Sequence, residues 1–176
     1  DTDRSRGLGD VYKRQVQAHD VLANDMQFAN KKVVVIGGGI TGLETALYIN
    51  RQGTNQVSVV DMLPEWPVDM LDMRYQNEAL LEVRHCNDQG VALFYNNKVV
   101  KFADGKLFIE STKDGEVKEL PADVIVLSVG VKPNDALWQE LLASGHPSVW
   151  KAGDAIATGK INKAVLHGSK FGYSLN

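Results

Sequence analysis

One cysteine stands in the whole chain, Cys86. That scarcity excludes an internal disulfide, a CxxC dithiol and a cysteine-rich cluster site, and it fits a reducing, cytoplasmic setting. Long apolar runs are also missing: no stretch approaches the roughly 20 residues that a membrane helix needs, and no apolar signal-peptide core opens the chain. Basic excess is lacking too. With 19 Lys and Arg against 22 Asp and Glu, the net charge is −3, the wrong balance for a nucleic-acid surface. The four histidines, His19, His85, His146 and His167, have no spacing suited to a metal, and no nucleophile–base pair can be picked out. What remains is an average globular composition, 44% hydrophobic and 23% charged over 176 residues, with room for one domain and a piece of another.

The segment "VVVIGGGITGLETALYINRQG", Val33 to Gly53, carries the strongest signal. A continuous β-branched run reads as a strand buried on both faces. Gly37, Gly39 and Gly42 then form G-x-G-x-x-G at the mouth of a helix over 40–52 stopped by Gly53. The first glycine permits the tight turn, the second lets the backbone approach a pyrophosphate, and the third lets helix and strand pack closely. The free N–H groups and the positive end of the helix then face the phosphates. Asp61 ends the next strand (Gln56–Asp61), where a carboxylate can accept both hydroxyls of an adenosine ribose. Glu44 near the helix start is as readily a compensator of the helix dipole as a cofactor contact.

Along the rest of the chain, the apolar spacing of Met70–Cys86 predicts a helix, and "VALFY" a third strand. "KVVKFADGKLFIESTKDGEVKEL" reads as an antiparallel meander with turns at "ADG" and "KDG". A buried strand at Asp123–Gly130, a helix at "DALWQELLASG", a strand at "SVWKAG", a "GDA" turn and a last helix from about Asn162 follow. Val16–Asp25 reads as a short helix or linker. Met62, Met70 and Met73 read as packing residues, and Trp66 as part of a lid between two prolines. The opening 15 residues have no periodicity, and "SRGLGDVYKRQ" is similar to a translated sequencing-library adapter, so they read as a non-native leader. The expected fold class is α/β: a Rossmann-type parallel sheet with an antiparallel β meander.

With these residues in place, the chain resembles the flavoprotein oxidoreductases with two dinucleotide domains, the pyridine-nucleotide-disulfide reductase superfamily. Gly37-Gly38-Gly39-Ile40-Thr41-Gly42-Leu43-Glu44 matches its nicotinamide loop GGGxxGxE. Gly130-Val131-Lys132-Pro133-Asn134 matches its G-x-x-P-N, and Gly153-Asp154 its flavin-ribityl aspartate motif. Within the superfamily, the segments 33–63 and "GDAIATGKINKAVLHG" look most like the C-terminal half of the 2,4-dienoyl-CoA reductase and enoate reductase group. His167 and Lys163 stand where members of that group often carry acids.

The resemblance implies four segments: a leader (1–15), a linker (16–30), an NAD(H)-binding Rossmann domain (31–134) and the C-terminal part of an FAD-binding domain (135–176). It implies cofactor binding by Gly37, Gly38, Gly39, Thr41, Gly42, Glu44, Asp61, Gly130, Pro133, Gly153 and Asp154, with NAD(H) preferred over NADP and with FAD as hydride acceptor. No residue of this chain is expected to be catalytic and none to ligate a metal. FMN and an iron–sulfur cluster are expected only in a part upstream of this chain. The implied activity is that of an oxidoreductase on a small-molecule substrate, reducing an activated C=C bond. The alternatives are a piece of another FAD-dependent disulfide reductase or NADH oxidase, or a non-catalytic nucleotide-binding module. Expected partners are the rest of its own polypeptide and other copies of itself, since Val165, Leu166, Phe171 and Leu175 should leave an apolar face on the last helix. Neither nucleic acid nor membrane is expected.

Overall fold

A computed structural model describes residues 15–64, 73–146 and 148–174, with backbone only for 73–76. The strands are β1 (Gln15–Gln17), β2 (Lys32–Ile36), β3 (Gln56–Val60), β4 (Ala92–Phe94), β5 (Asn97–Ala103), β6 (Lys106–Ser111), β7 (Val117–Pro121) and β8 (Val124–Leu127). The helices are α1 (Ala18–Ala23), α2 (Ile40–Asn50), α3 (Met73–Asp88), α4 (Ala136–Ala143) and α5 (Ile161–Ser174). The chain divides into two compact units, one reaching to Val129 and one starting at Gly130.

In the first unit, alternation along apolar strands builds two cores on opposite faces of one sheet. The sheet has five parallel strands in the order β1-β8-β2-β3-β4. Val33 and Val35 of β2 turn to one face, where they pack with Val57, Val126 and the helix residues Val21, Leu43, Ala46, Ile49, Val83 and Cys86. Val34 turns to the other face and meets Val60, Ile125, Leu107 and Ile109. Leu107 and Ile109 belong to a second sheet, the antiparallel meander β5-β6-β7. The unit is therefore layered as helices, parallel sheet and meander, and a run apolar at every position is what a two-faced strand requires. Each such valine or isoleucine taken out of water stabilises the fold by about 1.5–3 kcal/mol. The expected α/β class with its meander is thus present. The "ADG" turn closes β5 onto β6 with Asp104 at φ 53° and Gly105 at φ 73°, the left-handed pair of a tight hairpin.

Four expectations need correction. Val16–Asp25 is not simply a helix or linker: Gln15–Gln17 is an edge strand, paired with Ile125–Leu127, and Val21 of the helix after it is fully buried. Gln15, expected in the leader, therefore belongs to the sheet; the preceding 14 residues lie outside the described ones. "SVWKAG" forms no strand among its described residues, which pair with no neighbour, and Gly153–Ala155 is a single 3₁₀ turn. A strand exists only by its ladder, and two β-favouring side chains, Val149 and Trp150, cannot supply one alone. Met62, expected to pack, is 61% exposed. Trp66 and Met70 lie outside the described residues.

The second unit holds α4 and α5, neither of which has a buried residue. Lys151 ties its loop to Asp135 at 2.8 Å and lies over the Trp138 ring, while Trp150 packs on Phe171. Val165 and Leu166 are exposed as expected, whereas Phe171 is partly covered by that ring contact; Leu175 is outside the described residues. Among the described residues, no helix is long and apolar enough to cross a membrane.

Cys86 sits fully buried at the end of α3, its thiol 3.9 Å from the Leu43 carbonyl. Burial, reinforced by the nearby Glu82 carboxylate, pushes the thiol up to about 11. A pKa raised by folding means that the folded state holds the proton more tightly. The resulting stability is complete below the unfolded thiol pKa of about 8.5 and is lost as pH rises toward 11. Urea midpoints should therefore fall more steeply between pH 8 and 10.5 in the parent than in Cys86→Ala. Parallel curves would show that Cys86 ionises as freely in the folded chain as in the unfolded one.

Candidate functional site

The glycine loop leaves the sheet at the end of β2, where backbone bonds fix its entry. Gly37 N–H donates to Val60 O at 2.8 Å, and Ser128 N–H donates to Ile36 O at 2.8 Å. Gly37 has φ +107°, and a Cβ there would lie 2.3 Å from the Ser128 carbonyl oxygen. A Cβ on Gly42 would lie 1.9 Å from the carbonyl oxygen of Gly37. These two glycines are thus demanded by close backbone approach. Gly39 differs: a Cβ there would meet nothing within 4 Å. Gly39 caps α2 with no side-chain hydrogen bond at that end, so the N–H groups of the first turn have no intrahelical acceptor and face the open side. A bare, positively polarised helix start beside a glycine with free space is what an approaching phosphate requires.

Asp61 stands against this loop. Its Oδ2 accepts from Gly38 N–H at 2.5 Å and its Oδ1 from Leu63 N–H at 2.8 Å. Two backbone donors hold the carboxylate still, and each oxygen keeps a lone pair for a further donor. Gly37, Gly39 and Asp61 line one cavity of about 430 Å³, together with Met62, Leu63, Asn97, Lys98, Val99, Ser128 and Val129. Among the described residues the mixture is an apolar slot with one carboxylate and one ammonium, of a size that small-molecule sites have.

The other expected site residues are not among those that line this cavity. Thr41 is exposed on the first turn of α2, its carbonyl accepting from Thr45 Oγ1 at 2.6 Å. Glu44 is the fifth residue of α2, past its first turn, and lines a different groove with Tyr48, Arg51, Glu82 and His85. Gly130, Pro133, Gly153 and Asp154 are in the second unit. There Gly130 takes φ +87°, Pro133 is exposed, and Asp154 Oδ1 accepts from Gly159 N–H at 3.1 Å.

Sequence reading missed Asn97, Lys98 and Val99, because strands of a meander give no hint of what stands above them. Asn97 is brought in by its N–H bond to Asp61 O at 2.9 Å, and its side-chain Oδ1 is buried without a partner. Among the described residues, no group of three or more His, Cys, Asp or Glu is placed to hold a metal ion.

The NADH oxidase of Thermoanaerobacter brockii is 32% identical over 165 residues, 90% of this chain and 24% of that protein. The ferredoxin–NADP reductase of Ignicoccus hospitalis is 29% identical over 143 residues, 79% of this chain and 43% of that protein. Among solved structures, a 2-naphthoyl-CoA reductase superposes with a TM-score of 0.73 at 25% identity, covering 96% of this chain and 24% of its own. The chain thus spans less than half the length of these relatives. The profile of the pyridine nucleotide-disulphide oxidoreductases matches residues 6–168, and this chain, with its Gly37–Gly42 cradle and Asp61 beside it, belongs to that family.

Proposed function

We propose that the Gly37–Gly42 loop is the nicotinamide-nucleotide site of a flavin-dependent oxidoreductase, and that it takes NADH in preference to NADPH. The observation that carries this reading is the cradle itself: Gly37 and Gly42 filled by backbone, Gly39 open, and Asp61 in the same cavity. Gly37, Gly38, Gly39 and the first turn of α2, with Thr41 and Gly42, would hold the pyrophosphate, and Asp61 the adenosine ribose. Glu44, Gly130 and Pro133 complete the motifs that resemble the family's nicotinamide domain. Gly153 and Asp154 would face FAD. Bound at such a site, NADH supplies a hydride to flavin, and the chain's own residues act by binding and orienting. The likeness to a 2-naphthoyl-CoA reductase supports an activated C=C acceptor; the NADH oxidase relative supports the broader alternative.

Calorimetric titration of the 176-residue chain tests the site. One NADH should bind per chain, with 5′-AMP competing. No saturable binding at millimolar NADH would reject the reading. Assaying NADH consumption by the whole protein that contains this chain, with an enoyl-CoA or with oxygen as acceptor, separates the two acceptor classes.

A further inference from the structure

The cavity beside Asp61 contains a cation that its anion-binding character leaves unused. Lys98 is the one ammonium among the described residues that line it. Its Nζ is 2.8 Å from Glu110 Oε1, the side chain directly across the hairpin in the β5–β6 register. Glu110 is not among the cavity's lining residues. Lys98 therefore serves two surroundings at once: the residue lines the slot, while its ammonium is paired with a carboxylate on the neighbouring strand. The pair is half-exposed, with side chains 47% and 31% accessible, so it is screened and readily exchanged for another anion.

We propose that the Lys98–Glu110 pair sets how strictly this cavity refuses a 2′-phosphorylated nucleotide. The inference rests on the reading of the cavity as a nicotinamide-nucleotide site. With Glu110 in place, a 2′-phosphate meets the Asp61 carboxylate and, among the described lining residues, no free cation. Without it, the Lys98 ammonium is released to the phosphate as a charge-assisted partner in the cavity that Asp61 also lines. Glu110 is thus a specificity-determining residue that touches no nucleotide, and Lys98 is the group through which it acts.

The test titrates 5′-AMP and 2′,5′-ADP, the two adenosine halves, into the chain at fixed ionic strength, because surface charge effects are salt-dependent. Glu110→Gln should strengthen 2′,5′-ADP about tenfold and leave 5′-AMP within twofold. Lys98→Met should move the ratio in the opposite direction, since it leaves Glu110 unpaired. Lys98→Met/Glu110→Gln should lose the gain. Lys98 is on the edge strand β5 and Glu110 on the central strand β6 of the meander, both side chains half-exposed, and circular dichroism checks the folding of each variant. An unchanged ratio in Glu110→Gln, an equal gain for both nucleotides, or a gain that survives in the double variant would each overturn the proposal. Failure of 5′-AMP to bind the parent would instead reject the underlying site reading, and the proposal with it.

Discussion

Replacing Gly42 by alanine should destabilise the first unit by about 3 kcal/mol or more and abolish nucleotide binding. The new methyl would stand 1.9 Å from the carbonyl oxygen of Gly37. Neither partner can yield. Gly37 is held by its N–H bond to Val60 O at 2.8 Å, and α2 is pinned by Ala46 and Ile49, both fully buried. Relief requires the helix to lift from the sheet, which uncovers Leu43 and Val35. Gly37→Ala should behave similarly, because its φ of +107° and the Ser128 oxygen at 2.3 Å both oppose a side chain. Gly39→Ala separates folding from binding. Its φ is −69°, and its methyl would meet no protein atom within 4 Å. Stability should change by less than about 1 kcal/mol, whereas NADH affinity should fall at least about tenfold, a loss of about 1.4 kcal/mol. Urea unfolding and calorimetry on the same preparations read both quantities. Parent-like affinity in Gly39→Ala would place the phosphates somewhere other than this loop.

The second large effect is on cofactor choice at Asp61. The parent should favour NADH over NADPH by roughly tenfold to a thousandfold. A charge pair about 4 Å apart repels by about 1 kcal/mol in water and about 4 kcal/mol near a protein surface, and about 1.4 kcal/mol is tenfold. At the proposed site the ribose 2′-hydroxyl would donate to the carboxylate, while a 2′-phosphate has no such donor and adds negative charge. Arg51, a basic residue close enough in sequence to matter, lines the groove beside Glu44 and Tyr48 and points its Nε at Gln89. It therefore gives no relief. Asp61→Asn keeps the size and removes the charge, so the discrimination should fall by about tenfold or more, as titration of both nucleotides would record. The carboxylate also accepts from Gly38 and Leu63 N–H, so loss of one acceptor should weaken NADH as well by a few-fold. Equal binding of NADH and NADPH by the parent would mean that Asp61 does not face the ribose.

Much of this site was legible locally. Close packing of loop on strand demands glycine at Gly37 and Gly42 whatever the rest of the chain does, and such positions announce themselves by residue type. The phase of α2 was legible too: Glu44, Tyr48 and Arg51 fall at i, i+4 and i+7, one stripe, opposite the buried Ala46 and Ile49. That stripe lines the groove with Glu82 and His85 and not the cavity beside Asp61.

Other features depended on distant partners. Gln15–Gln17 is a strand because Ile125–Leu127 offers it an edge, and the described part of "SVWKAG" is not one because no described neighbour does. The sequence by itself determined the α/β class, the glycine cradle and the carboxylate next to it, since each follows from steric and hydrogen-bonding demands within a few residues or one βαβ unit. Only the tertiary structure decided that Asn97 and Lys98 stand at that cradle, with Glu110 behind Lys98. The meander's start is fixed there by Asn97 N–H bonding Asp61 O at 2.9 Å and by Leu107 and Ile109 packing under Val34 and Val60. Contacts of that kind join residues tens of positions apart, and no local pattern encodes them.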